Sequence, residues 1–140
     1  MINQLAVVVK NKPGSLRHIT NILSENEINC LCVSTYDAPD FGIIRMIVDD
    51  FDKCYRILEE NGEVVMKDRV IAIPMEDKPG SMSRILDAVY EANISIDCMY
   101  SYISGQLKSA VLIFRAEDIY ETENVLSKKG FKVISDISEM

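Results

Sequence analysis

Asn11-Lys12-Pro13-Gly14-Ser15-Leu16 and Asp77-Lys78-Pro79-Gly80-Ser81-Met82 are one turn written twice, 66 residues apart in a chain of 140. Internal repeats set the architecture, and this one extends outward from the turn. Ala6 falls on Ala72, Ile19 on Ile85, Glu25 on Glu91, Ile28 on Ile94, Cys32 on Cys98 and Tyr36 on Tyr102. From Lys10/Glu76 to Tyr36/Tyr102 there are nine identities in 27 positions, where average composition gives roughly one or two by chance. The C-terminal parts correspond after a two-residue shift placed near Ala116, which sets Leu58 on Leu126 and Gly62 on Gly130. The chain therefore reads as two tandem units, residues 1–67 and 68–140, with almost no linker.

Each copy reads as the same series of elements. Leu5 to Val9 and Val70 to Met75 are apolar, β-branched runs of strand type. Pro74 cannot donate to a ladder and is expected at a bulge or near the strand end. After each Pro-Gly-Ser come apolar residues at helical spacing: Leu16, Ile19, Ile22 and Leu23, then Met82, Ile85, Leu86 and Val89. Ser15 and Ser81 are the expected N-caps. Strands follow at Ile28 to Tyr36 and Gly42 to Val48, a helix from about Asp52 to Asn61 stopped by Gly62, and a strand at Val64 to Met66. The second copy matches with strands at Ile94 to Tyr102 and Ser109 to Phe114, a helix near Ile119 to Lys129, and a last strand at Phe131 to Ile137. The order β-α-β-β-α-β predicts an α+β fold of two ferredoxin-like units, each an antiparallel sheet with its helices on one face. The first strand is apolar throughout, so the second sheet face is also expected to be covered, most simply by sheet packing in a homodimer.

Composition removes several functions. A net charge of -7 opposes a nucleic-acid binder, because such proteins gain affinity from Lys and Arg on phosphates. No 18-residue apolar run is present, so no membrane span is expected, and the N-terminus lacks a signal-peptide pattern. Cys30, Cys32, Cys54 and Cys98 all lie in apolar patterns, as reduced thiols do, which points to the cytoplasm.

With repeat, element order and turn in hand, both halves resemble ACT domains, the ligand-sensing modules of many enzymes of amino-acid metabolism. Glu25-Asn26-Glu27-Ile28-Asn29 and Glu91-Ala92-Asn93-Ile94-Ser95 reinforce the resemblance, being similar to the family's short link into its second strand. The resemblance covers nearly the whole chain. It implies a small amino acid held where two such domains meet, with the loop after the first strand of one facing the second strand of its neighbour. It also implies a non-catalytic sensor or regulatory subunit acting on a partner enzyme of amino-acid metabolism, with no cofactor.

The candidate ligand-binding residues are Asn11, Lys12, Pro13, Gly14, Ser15 and Leu16, their counterparts Asp77, Lys78, Pro79, Gly80, Ser81 and Met82, and Asp97. An amino acid's carboxylate needs convergent donors, which a helix N-terminus supplies. Gly14 and Gly80 let the backbone approach closely, while Pro13 and Pro79 fix the turn. Asn11 suits either end of a zwitterion, and Asp77 the ammonium. The competing reading is a tight turn whose polar residues cap the helix. Asp97, an acid between Ile96 and Cys98 in mid-strand, is similar to the residue that takes an ammonium in some family members; its alternative is a charge that protects a strand edge. The first copy has Leu31 there, which opposes two equivalent sites.

Other residues read more simply. Arg45 is expected to be a solvated charge in the third strand, and His18 a surface helix residue without a catalytic set around it. The Cys30/Cys32 pair lacks the four ligands of a zinc site, and Asp49, Asp50 and Asp52 read as a helix cap. Two rival functions remain. One is a constitutive interaction subunit without ligand. The other is an acylphosphatase-like enzyme of the same architecture, opposed by Lys12 standing in a loop with no Arg before the helix.

Overall fold

In a computed structural model describing residues 1–105 and 109–140, the chain divides into two compact units. One is Asn3–Asp68, the other Met1–Ile2 with Arg69–Met140. The first holds β1 (Ile2–Lys10), α1 (Ser15–Glu25), β2 (Cys30–Asp37), β3 (Phe41–Val48), α2 (Phe51–Glu60) and the start of β4 (Val64–Met75). The second continues along β4 into α3 (Ser81–Glu91), β5 (Ile96–Ser104), β6 (Ser109–Ala116) and α4 (Ile119–Lys128). The unit boundary thus lies inside an unbroken strand. Strand order is β2-β3-β1 in the first unit and β4-β6-β5 in the second. These ladders are antiparallel, as in ferredoxin-like units.

Period-two alternation explains the cores. Leu5 and Val7 of β1 and Ile44, Met46 and Val48 of β3 share one face, where they pack with Ile19, Leu23, Cys54 and Leu58 from the two helices. The second unit repeats this with Ile71, Ile73, Leu112 and Phe114 against Ile85, Val89 and Leu126. Leu58 is fully enclosed, and burial of such a side chain contributes about 1.5–3 kcal/mol. Pro74 pairs with Val111 one residue before the end of β4, near the strand end as expected.

Several expectations are corrected. The helix N-caps are Gly14 and Gly80 in the left-handed region, at φ 88° and 87°, with no side-chain cap. Ser15 therefore falls inside the first turn, and its hydroxyl donates back to the Lys10 carbonyl at 2.7 Å. The two-residue insertion lies in the β5–β6 connection: Tyr36 pairs with Ile43 and Tyr102 with Val111, so the offset grows from 66 (102 − 36) to 68 (111 − 43) before β6 proceeds. A slip of two in a strand preserves which face each side chain takes, so the pattern could not locate it.

The segment from Phe131 forms no regular strand. Ile134 donates one bond to Ala72 at 2.8 Å, and its carbonyl is taken by the Met1 ammonium at 2.9 Å. A capping box at Asp136 then turns the chain into a 3-10 turn at Ile137–Glu139. The second sheet face is covered as well. Ala6 and Ile47 of the first unit, and Val70, Ala72, Val111 and Ile113 of the second, are all buried within the single chain. No helix among the described residues is long and apolar enough to cross a membrane.

Candidate ligand cleft at the first Pro-Gly turn

The first turn is built by short backbone bonds. Lys12 N–H donates to the Lys10 carbonyl at 2.9 Å, Ser15 N–H to Lys12 at 3.3 Å and His18 N–H to Gly14 at 2.8 Å. The N–H groups of Leu16 and Arg17 are left without an acceptor among the described residues, the usual state of a first helical turn. Gly14 has no atom within 4 Å of where a Cβ would stand, so its glycine serves the positive φ.

Beside this turn opens a cleft of about 700 Å³. Lys12, Pro13, Gly14 and Ser15 form one side. The end of β1 contributes Lys10, α1 contributes His18, the start of β3 brings Asp40 and Phe41, and Gly62 to Val64 closes the far side. Two lysines and two acids thus line it together with apolar Val8, Val9, Phe41 and Val64. His18 Nε2 lies 2.8 Å from Glu63 Oε1, with Glu63 much the more sheltered of the two. Asn11 does not line the cleft; its amide donates to the Ala38 carbonyl at 2.9 Å and so ties the turn to the β2–β3 connection. Leu16 is exposed and also outside it.

The second turn repeats the backbone but not the cleft. Lys78, Ser81 and Arg84 make the equivalent bonds, yet the space beside it is only about 150 Å³. Small-molecule sites usually occupy about 300–1,000 Å³, so the two turns fall on opposite sides of that threshold. Of the candidates here only Ser81 lines the space, with Arg84 and Phe131. Lys78 is ion-paired with Glu76, whose carboxyl is held below the usual range by that bond. Asp77, Pro79, Gly80 and Met82 do not line the space.

Asp97 lines neither space. It occupies a β-bulge between Ile96 and Cys98 on β5, two strands from β4. Its carboxylate lies 3.1 Å from Arg115. Leu31 sits at the matching bulge between Cys30 and Cys32. The bulge explains an acid in mid-strand: the extra residue is outside the ladder.

Arg45 is only partly solvated. It is half-buried, and its Nε is enclosed with no hydrogen-bond partner among the described residues. Asp50 does cap α2, accepting from Lys53 N–H at 3.1 Å, while Asp49 accepts from Asn29 N–H at 3.0 Å. No His, Cys, Asp and Glu cluster that could hold a metal is found among the described residues. The cleft's Asp40, Glu63 and His18 escaped the sequence reading. The only signal was Glu63 following the repeated helix stop at Gly62, far along the chain from the turn it faces.

The family of ACT domain pairs matches residues 1–140. Among curated proteins none matches the chain. Protein BT0572 from Bacteroides thetaiotaomicron is similar over 94% of this chain and 90% of its own, at 29% identity and a TM-score of 0.87. The ligand-free regulatory subunit of aspartate kinase from Thermus thermophilus shares the fold at 15% identity and a TM-score of 0.65, over 91% of this chain and 92% of its own. The corresponding subunit from Thermus flavus does so at 14% and 0.61, over 90% of each chain.

Proposed function

The chain belongs to the ACT domain pair family, and from that premise we propose that it is a non-catalytic regulatory protein that binds a small amino acid. The domains would be residues 1–67 and 68–140, and the protein would act on a partner enzyme of amino-acid metabolism. The name of regulatory subunit that two structural neighbours carry supports this placing beside an enzyme. Four free cysteines fit a reducing cytoplasm.

One observation carries the reading: the first Pro-Gly turn borders a cleft of ligand size lined by both cations and carboxylates. A zwitterion offers the matching pair of charges. Its carboxylate would meet Lys12 beside the N-terminus of α1, where the helix dipole favours an anion. Its ammonium would meet Glu63 or Asp40. Regulation requires that the ligand prefer one of two arrangements of the protein, with coupling of about 1–3 kcal/mol typical of such sensors.

Thermal unfolding against each of the twenty amino acids tests the proposal. A true ligand raises stability with concentration, by about 2.7 kcal/mol at a hundred times its Kd. Silence from all twenty at millimolar concentration would replace the sensor with a constitutive interaction subunit.

A further inference from the structure

Resting on that reading, we propose that each chain takes one amino acid with a neutral, apolar side chain at its first turn, and that Phe131 has filled the equivalent space at the second. The correspondence is fixed by backbone bonds rather than by sequence similarity. Glu63 N–H donates to Leu58 and Phe131 N–H to Leu126, each at 3.0 Å and each directly after a glycine of positive φ. Glu63 and Phe131 are therefore the same position, 68 residues apart (131 − 63), as are Leu58 and Leu126. His18 and Arg84 match likewise through their bonds to Gly14 and Gly80.

The exchange has a physical consequence. Glu63 puts a sheltered carboxylate at the edge of an open cleft. Phe131 instead packs against the core of its own unit, and the space it shares with Ser81 is about 150 Å³. Ser81 is buried where Ser15 is half-buried. The second turn has kept its backbone, but the volume beside it is small, Phe131 stands where Glu63 puts its carboxylate, and the one acid in the lining, Glu76, is paired with Lys78.

Charge balance sets the ligand class. Lys10 and Lys12 cancel Asp40 and Glu63 in the lining, with His18 bonded to Glu63. A zwitterion with a neutral side chain keeps that balance, whereas a charged side chain would add a net charge to a lining whose own charges cancel. Val9, Phe41 and Val64 provide apolar wall for the side chain.

Isothermal titration of the full chain with L-leucine, L-valine and L-methionine, against L-aspartate and L-lysine, tests both parts. The expected result is binding of the neutral set with one site per chain. Glu63→Phe should weaken it by about ten- to a hundred-fold, the scale of a lost charged hydrogen bond. Amide NMR shifts in the wild type should move at Gly14 and Glu63 and stay still at Gly80 and Phe131, a readout independent of whether the variant folds. Two sites per chain, or shifts centred on Gly80, would overturn the inference. Binding confined to aspartate or lysine would overturn the ligand class and leave the sensor standing. No binding by any of the twenty amino acids would remove the sensor and this inference together.

Discussion

Gly14 and Gly80 offer a matched pair of perturbations whose costs can be worked from the backbone. Both enter their helices in the left-handed region, at φ 88° and 87°, and neither has an atom within 4 Å of the place a Cβ would take. Replacement by alanine therefore introduces no collision. An L-residue in this region costs about 1–2 kcal/mol, and the stiffer unfolded chain returns about 0.4–1 kcal/mol. The expected net loss is about 1 kcal/mol for Gly14→Ala and the same for Gly80→Ala, or roughly 2–4 °C in melting temperature for a chain of this size. Differential scanning calorimetry without ligand should find the two variants equal. Ligand titration should separate them, because only Gly14 lines the open cleft. A Gly80→Ala protein as stable as wild type, or costs that differ by more than about 1 kcal/mol, would refute the reasoning from backbone geometry.

Leu58→Ala leaves a hole in the first core, where Leu58 is fully enclosed, and should cost about 2–5 kcal/mol in urea unfolding; a loss below about 1 kcal/mol would mean the site collapses freely. Burial, with smaller contributions from Cys30, Asp49 and Asp50, pushes the Cys54 thiol up to about 11. At pH 8 about 0.1% of it would be thiolate, so iodoacetamide should label half-buried Cys98 well before Cys54 in the native protein, and equal rates would contradict the packing. The Lys132 ammonium, followed by donors at Ser135 and Asp136, holds Glu139 down to about 2. Since an unfolded glutamate titrates near about 4.3, this contribution is complete above that pH and fades as pH falls toward 2. Carboxyl NMR titration should show the low midpoint, and an ordinary glutamate midpoint would deny the capping box.

The fold was legible because the same turn occurs twice and because strand and helix periods switch at matching places in both copies. What escaped the sequence has physical causes. The site of the two-residue insertion was hidden by the very period that revealed the strands. Serine after glycine suggests a cap, yet a glycine at positive φ itself enters the helix and carries the serine one step too far. The family resemblance points to the turns, and Lys12, Pro13, Gly14 and Ser15 do border the cleft. Asp40, Glu63 and His18 meet there only through tertiary folding, which a single sequence does not record. The bulge at Asp97 and its Arg115 partner are equally invisible in one dimension.

The junction inside β4 bears on how such a doubled gene can evolve. Duplicates joined by a loose tether can be lost one at a time. Here a cut between Asp68 and Arg69 severs a strand and parts Met1–Ile2 from the unit in which they lie. Deleting either copy cuts through β4, whereas a change of task in one copy leaves that strand whole. A hollow that silts up with an aromatic ring while the surrounding scaffold endures is the kind of relic that such enforced cohabitation leaves behind.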